Sequence, residues 1–234
     1  VLLRERGITM PVVVLNADAD SFDQMIANRL EPEIYSFRSL ADFADAVSHA
    51  GETRYPVHIK LDTGMHRLGF MEGEIGRLCE VLPTLPAVKV ASVFSHLNCA
   101  DMPGEDAYTR EQIARYDRMS AAVAASLPYS VIRHTANSAA IERFPEARFD
   151  MCRLGLGLYG FGWEHNAGLR PVSALKTRIV QIKRLEAGDA VGYGRAGKLL
   201  RPTVTATVPI GYADGLDRHL GLSLIHISEP TRPY

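Results

Sequence analysis

Apolar residues follow two kinds of pattern along the first part of the chain. In short runs such as PVVVLN they are consecutive, which predicts buried strands, and elsewhere they recur every three or four residues, which predicts helices. The six predicted strands are Pro11–Asn16, Glu33–Ser36, Val57–Lys60, Val90–Phe94, Val131–His134 and Met151–Tyr159.

A helix or helix-like segment is predicted between successive strands. Ser21–Arg29 and Glu74–Leu82 have helical spacing, and residues 39–42 open a further helix with a capping pattern. Thr109–Gln112 is predicted to be the capping box of a longer helix, whose apolar face is formed by Ile113, Tyr116, Met119 and Val123.

Strands that alternate with helices predict a parallel sheet covered on both faces, which is found in doubly wound sheets and in barrels. Polar residues decide between them, because they follow several different strands: Lys60 and Asp62, Ser95 and His96, Asn137 and Ser138, and Arg153. Barrels build their sites from the ends of many strands, whereas an open sheet concentrates them at one switch point. We therefore expect an α/β fold, a (β/α)8 TIM barrel with about six of its eight strands present.

The pattern changes after Gly160. Ala174–Leu185 and Thr203–Ile210 alternate apolar and polar residues, and Val191–Gly197 follows a Gly-Asp turn signal. These segments predict the start of a mostly antiparallel β domain. The predicted domains are residues 1–165, a partial barrel, and residues 166–221, the start of the β domain.

Both ends of the chain are expected to be incomplete. Leu2–Gly7 reads as the last turn of a helix, and the first two barrel strands are expected to be missing. Leu222–Arg232 (LSLIHISEPTR) matches the translation of a transposase adapter used in sequencing libraries. Residues 222–234 are therefore expected not to be native, and His226 is not a candidate ligand.

Composition excludes several classes of protein. Lys plus Arg number 26 against 27 Asp plus Glu, and this balance argues against a nucleic-acid partner. No apolar run approaches the length of a membrane span. Three scattered cysteines, Cys79, Cys99 and Cys152, form neither a disulfide framework nor a CxxC metal site, so a cytoplasmic location without a metal centre is expected.

Gly155–Gly160 matches GxGxxG but is not expected to bind a dinucleotide, because antiparallel strands follow it instead of a βαβ unit. Glycines let an anion approach the backbone closely, and barrels often bind phosphate after their last two strands. The sequence therefore predicts a phosphate site here, with Asn137 and Ser138 as further donors.

Three candidate residues allow two interpretations each. Lys60 and Asp62 point to the same side of a strand, so Lys60 either faces an anionic ligand or pairs with Asp62. His96 is either an ordinary strand-end histidine or a catalytic one, and Tyr212 is either a packed side chain or a functional one. Arg67, on the loop after Lys60, is suited to bind a carboxylate.

Five segments together resemble bacterial alanine racemases: KLDTGMHRLG (Lys60–Gly69), FSH (Phe94–His96), ANSA (Ala136–Ala139), RLGLGLYG (Arg153–Gly160) and TVPIGYADGL (Thr207–Leu216). The resemblance runs from about Leu3 to Gly221 and implies a barrel followed by a β domain. It also implies pyridoxal phosphate as cofactor and the interconversion of L- and D-alanine for peptidoglycan. EPEIYSF (Glu31–Phe37) is similar to racemases fused behind a peptidoglycan ligase.

The resemblance implies a role for each candidate. Tyr212 would be the base that handles the L-enantiomer, entering the site from the partner subunit of a homodimer. Arg67 would bind the substrate carboxylate, and Lys60 would be the lysine that is carbamylated in many members and holds Arg67. Arg153 would face the pyridine nitrogen, and His96 would link Arg153 to the tyrosine.

The phosphate binders implied by the resemblance are Ser138, Gly155 and Leu156, with Asn137 beside them. Leu156 stands where isoleucine is more common in the family. The family's Schiff-base lysine lies on the first barrel strand, in a segment that this chain lacks, and no other lysine is expected to replace it. The chain by itself is therefore expected to be inactive.

Other classes of protein stay open from the sequence. A decarboxylase that uses pyridoxal phosphate would usually place a carboxylate, not Arg153, against the pyridine nitrogen. A racemase for serine or lysine would share the same motifs. A non-catalytic protein that binds pyridoxal phosphate would have the barrel without the β domain that carries Tyr212.

Overall fold

Five parallel strands form the sheet of the first part of the chain, and each strand pairs with the next one in sequence. The strands are β1 (Val13–Val14), β2 (Glu31–Ile34), β3 (Tyr55–Lys60), β4 (Val88–Phe94) and β5 (Ile132–His134). The computed structural model describes residues 1–163 and 168–216, and these divide into one unit at Val1–Val172 and another from Ser173 onward. The sequential strand order is the arrangement predicted for part of a barrel.

Six α-helices alternate with these strands. They are α1 (Leu2–Glu5), α2 (Phe22–Ala27), α3 (Phe37–His49), α4 (Ile75–Val81), α5 (Asp106–Ala125) and α6 (Ser138–Arg143). Phe43 of α3 is fully buried, and its ring meets Phe22 and Tyr55 edge to face at centroid distances of 5.0 and 5.5 Å. Tyr116 of α5 is also fully buried and donates its hydroxyl proton to the carbonyl of Val93 at 2.8 Å. Aromatic residues of α3 and α5 thus fix these helices on the sheet, α3 through the Tyr55 ring of β3 and α5 through the Val93 carbonyl of β4.

Two helix starts differ from the prediction. The capping residue of α3 is Ser36, whose hydroxyl oxygen accepts the N–H of Ser39, while the hydroxyl oxygen of Ser39 accepts the N–H of Ser36. Thr109 was predicted to cap α5, but the helix begins at Asp106 and Thr109 is fully buried within it. A 3-10 turn at Pro103–Glu105 leads directly into α5, so the chain is already helical before Thr109.

The sixth predicted strand is wrong. Residues 150–153 run beside β5 through two backbone hydrogen bonds, from Asp150 N–H to the carbonyl of Arg133 and from Arg153 N–H to that of Ala136. The chain then turns into a 3-10 helix at Leu156–Tyr159 instead of continuing as a strand. Glycines at alternate positions allow this turn, and the helix ends at Gly160 with φ +86°.

The second unit is antiparallel, as predicted, although its strands are shorter. β6 (Gln181–Leu185) pairs with β9 (Thr203–Thr207), and β7 (Ala190–Val191) pairs with β8 (Gly197–Lys198). The predicted strand Val191–Gly197 is wrong, since a 3-10 turn at Tyr193–Arg195 separates β7 from β8. The domain boundary at 165/166 stays a prediction, and residues 222–234 lie outside the described part of the chain.

None of the helices in residues 1–163 and 168–216 combines the length and hydropathy that a membrane span requires. All three cysteines lie in this part of the chain and none forms a disulfide there. The cytoplasmic location inferred from their spacing stays a prediction.

The loop that follows β3 is closed by backbone hydrogen bonds. Phe70 N–H donates to the carbonyl of Lys60, and Asp62 N–H donates to the carbonyl of Phe70, both at 2.9 Å. Gly69 precedes this closure with φ +129°, and a Cβ built on it would lie 2.6 Å from the backbone nitrogen of Asp62. Only glycine fits this position without moving the loop.

Gly69→Ala is expected to lower the free energy of unfolding by about 1–3 kcal/mol through backbone strain alone, with the steric clash added to it. The measurement is chemical denaturation followed by circular dichroism. Gly73→Ala is the matched control, because a Cβ there meets no atom within 4 Å. Equal stability of the two variants would contradict the loop geometry.

Candidate active site

One face of the sheet carries polar side chains from four neighbouring strands. The register pairs Glu33 with His58, His58 with Ser92 and Lys60 with Phe94, and Phe94 pairs with His134. Paired residues in a sheet point to the same side. We call this face the polar face; its members are Glu31, Glu33, His58, Lys60, Ser92, Phe94 and His134.

Arg153 reaches this face from the segment beside β5. One terminal nitrogen of its guanidinium lies 2.8 Å from Nδ1 of His134, and the other donates to the carbonyls of Ser95 at 2.7 Å and Thr135 at 3.2 Å. The second nitrogen also lies 3.3 Å from Nδ1 of His96. These contacts use both terminal nitrogens, and the Nε–H of Arg153 has no acceptor among the described residues.

Both histidines beside Arg153 are held in the neutral form. Burial, then chiefly the charge of Arg153, lowers the pKa of His134 to about 3. Burial, then the charges of Arg153, Lys60 and Arg67, lower the pKa of His96 to about 4. A neutral imidazole accepts a hydrogen bond from arginine at one ring nitrogen and keeps a proton on the other.

Lys60 pairs with Glu33, not with Asp62 as one interpretation of the sequence held. Its Nζ lies 3.5 Å from a carboxylate oxygen of Glu33 and 4.5 Å above the centre of the Phe94 ring. Burial lowers the pKa of Lys60, and the carboxylate of Glu33 opposes that shift. Glu33 is 3 % exposed and also accepts the N–H of Asn16 at 2.6 Å, so its position is fixed from two sides.

Asp62 instead organises the loop that carries Arg67. One of its oxygens accepts the N–H groups of Gly64 and His66, each at 3.0 Å. Arg67 follows on this loop and is exposed, and its charge adds to the larger effect of burial in lowering the pKa values of Lys60 and His96. The structure thus brings Arg67 into the same electrostatic environment as the polar face.

Ser138 connects the start of α6 to the glycine-rich segment. Its Oγ accepts the N–H of Gly155 at 2.9 Å and that of Gly157 at 3.2 Å. A hydroxyl has two lone pairs and one proton, and both lone pairs are used here. The hydroxyl proton of Ser138 is therefore directed away from these glycines and can bind an anion.

Asn137 and Leu156 differ in what they can offer a ligand. Asn137 caps α6 by accepting the N–H of Ala140 at 3.0 Å, and its amide donates to the carbonyl of Leu97 at 3.1 Å. Both ends of its side chain are thus engaged within the fold. Leu156 is 69 % exposed, and its N–H has no acceptor among the described residues, so it can donate to an anion.

Tyr212 belongs to the second unit and lies in the 3-10 turn that follows β9. Asp214 fixes this turn by accepting the N–H of Gly211 at 3.0 Å, and Gly215 ends it with φ +94°. The Tyr212 side chain is 67 % exposed. A rigid turn with an exposed phenol suits a residue that reaches towards another surface.

Sequence patterns did not single out Glu31, Glu33, His58, Ser92 or His134. Each lies within or beside a run of apolar residues that reads as a buried strand, so the apolar pattern concealed it. A usable signal was present, since Glu31 and Glu33, and His58 and Lys60, stand two positions apart and must share a face.

Two family models match the chain. The model of the alanine racemase N-terminal domain covers residues 1–162, and that of the alanine racemase C-terminal domain covers residues 172–230. The alanine racemase of Symbiobacterium thermophilum is 37% identical over 228 residues, which are 94% of this chain and 59% of that protein. That of Sorangium cellulosum is 35% identical over 226 residues, which are 93% of this chain and 59% of that protein.

Solved structures agree in fold. Alanine racemase from a D-cycloserine-producing Streptomyces lavendulae has a TM-score of 0.80 at 30% identity, over 93% of this chain and 59% of that one. Alanine racemase from Bartonella henselae, with covalently bound pyridoxal phosphate, has a TM-score of 0.74 at 26% identity, over 93% of this chain and 60% of that one. The chain spans about three fifths of the length of these relatives. The predicted barrel followed by a β domain is confirmed, and the chain belongs to the alanine racemase family.

Proposed function

We propose that the protein containing this chain interconverts L- and D-alanine with pyridoxal phosphate and supplies D-alanine for peptidoglycan. The observation that carries the proposal is the placement of Arg153. Three backbone carbonyls and two neutral histidines fix its guanidinium, and its Nε–H is left to donate. An unprotonated ring nitrogen is an acceptor that suits such a donor.

The residues present fit pyridoxal phosphate at both of its polar ends. The phosphate is an anion, and the chain offers it the hydroxyl proton of Ser138 and the N–H of Leu156. The N–H of Gly155 faces Ser138 and supports that hydroxyl, while Asn137 holds the start of α6. The ring nitrogen would meet Arg153. These donors come from the segments after β5, where barrels commonly bind phosphate.

The bound cofactor supplies an electron sink that makes the α-proton of an amino acid acidic. Arg153 stays charged and donates a hydrogen bond without giving up its proton. It therefore keeps the ring nitrogen unprotonated, as a hydrogen-bond acceptor. This limits the negative charge that the ring can hold. Proton return is thereby favoured over side reactions.

Arg67 is proposed to bind the carboxylate of alanine, because it is an exposed guanidinium on a loop fixed by Asp62. Tyr212 is proposed to remove the α-proton of L-alanine. A phenol has an ordinary pKa near 10, so it needs cationic neighbours to act as a base. Arg153, with neutral His96 as a link, is proposed to supply that environment.

The site is proposed to be completed in a homodimer, with Tyr212 entering the site of the partner. Its exposure on a rigid turn supports this arrangement. We assign the covalent attachment of the cofactor to none of the lysines in this chain.

Arg153→Glu in the full-length protein is expected to slow racemisation by about 100-fold, because a fixed charge at the ring nitrogen is lost. A carboxylate can exchange a proton with that nitrogen, so the electron sink becomes stronger and transamination increases relative to racemisation. The measurement is the ratio of pyruvate formed to alanine racemised. Arg153→Lys keeps the charge and is the control. An unchanged ratio in Arg153→Glu would show that Arg153 does not contact the ring nitrogen.

Tyr212→Phe in the full-length dimer is expected to lower the rate of α-proton abstraction from L-alanine by at least about 100-fold. Exchange of the D-alanine α-proton with solvent deuterium should persist, since the other face uses another base. Tyr193→Phe is the matched control, because Tyr193 is 97 % exposed on the turn between β7 and β8. Equal loss of exchange from both enantiomers would show that Tyr212 is not the base that acts only on L-alanine.

The resemblance implies that Lys60 is carbamylated, but the carboxylate of Glu33 beside it leads us to propose that the lysine of this chain stays unmodified. A carbamate on Nζ would put a second anion beside the Glu33 carboxylate, which already lies 3.5 Å away. We therefore expect labelled bicarbonate to give no carbamate carbon signal in the ¹³C NMR spectrum of the wild-type chain. Glu33→Gln removes the competing anion and should allow the signal. A wild-type carbamate signal that needs Lys60 would show that Glu33 does not oppose the modification.

A further inference from the structure

Five side chains form an unbroken line of hydrogen bonds across the polar face. Glu31 Oε2 lies 2.7 Å from His58 Nε2, and His58 Nδ1 lies 2.6 Å from Ser92 Oγ. Ser92 Oγ lies 3.0 Å from His134 Nε2, and His134 Nδ1 lies 2.8 Å from Arg153. We call this line the relay. It joins a carboxylate on β2 to a guanidinium beside β5, through one residue each of β3, β4 and β5.

The guanidinium sets the direction of the first bond. Arginine has only donors, so His134 must accept at Nδ1. A neutral imidazole that accepts at Nδ1 carries its proton on Nε2. His134 Nε2–H therefore donates to the hydroxyl oxygen of Ser92.

Ser92 passes the same direction to the next strand. Its oxygen receives a proton from His134, and its own hydroxyl proton needs an acceptor, because Ser92 is 1 % exposed. Nδ1 of His58, at 2.6 Å, is that acceptor. His58 then carries its proton on Nε2 and donates it to Glu31. A doubly protonated His58 would leave the Ser92 hydroxyl proton without an acceptor among the described residues.

We propose that Glu31, His58 and Ser92 are positioning residues for Arg153, and that the relay fixes the guanidinium from a distance of three strands. All four hydrogen bonds point the same way, from the cation towards the carboxylate. Aligned hydrogen bonds polarise one another, so each member strengthens the next. The relay holds one terminal nitrogen of Arg153 on His134 and thereby sets where its Nε–H points. The consequence for catalysis rests on the proposed function; the relay itself does not.

Two cations, Lys60 and Arg153, lie on the polar face. Their positive charges explain why the relay ends at a carboxylate, that of Glu31. Lys60 and Arg153 both lie over the ring of Phe94, at 4.5 and 5.4 Å from its centre. Glu33 pairs with Lys60 directly. Glu31 does not touch Arg153, and the relay brings its negative charge to bear on the guanidinium through neutral groups.

The first test observes the protonation of the two histidines in the wild-type chain. Long-range ¹⁵N–¹H correlation spectra of protein labelled at histidine are expected to show both His58 and His134 neutral, with bare Nδ1 and protonated Nε2. His58→Gln and His134→Gln assign the signals. A doubly protonated His58, or a proton on Nδ1 of His134, would overturn the direction of the relay.

The second test asks whether a change of charge at Glu31 reaches His134 through the hydrogen bonds of the relay. Glu31→Gln removes the charge at the far end and is expected to shift the Nε2 resonance of His134, three members away. The same substitution should leave that resonance unmoved in a Ser92→Ala background, where the line is cut. Ser120→Ala is the matched control, since Ser120 is fully buried in α5 and bonds Arg133, outside the relay. Transmission that survives Ser92→Ala would overturn the proposal.

The third test uses the full-length protein. Glu31→Gln and Ser92→Ala are each expected to lower kcat on the order of 10-fold with KM unchanged, and the double variant should lose no more than one of them. Additive losses would overturn a common line of action. A protein with no racemase activity would refute the proposed function, and the two spectroscopic tests would still decide the relay.

Discussion

A buried guanidinium is the constraint on which the rest of this unit depends. Arg153 brings a permanent charge and five N–H donors to a face formed by strands, and burying such a group without acceptors is costly. The fold supplies the carbonyls of Ser95 and Thr135, where the chain leaves β4 and β5, and the ring nitrogens of His96 and His134. Burial and the charge of this same side chain together keep both histidines neutral.

Much of the fold could be predicted from the apolar pattern. β2 to β5 lie within a few residues of their predicted positions, because continuous apolar runs between helical segments leave few other arrangements. Met151–Tyr159 satisfies the same pattern and is not a strand, since Gly155 and Gly157 direct the chain into a turn. The starts of α3 and α5 were misplaced because serine and threonine residues also occur inside helices, where tertiary contacts decide their role.

The candidate site was predicted only where its residues follow the strands. Lys60, His96 and Ser138 stand at or just after strand ends, and barrel architecture brings such ends together. Arg153 joins them from the segment that runs beside β5. His58, Ser92 and His134 lie inside strands, and although the spacing of His58 and Lys60 places those two side chains on one face, the sequence does not show which other strands add polar side chains to it. The register of the sheet was needed to show that they share a face. Asn137 looked like a ligand donor because it stands beside Ser138, whereas its hydrogen bonds serve the start of α6.

The closed loop after β3 restricts how this site can change during evolution. Its two ends are joined by backbone hydrogen bonds between Phe70 and the end of the strand, and Asp62 holds its interior through two further N–H groups. An inserted or deleted residue would break the closure or move Arg67 away from its place on the loop. The ligand preference of this loop can therefore diverge only by exchange of side chains on a loop of constant length.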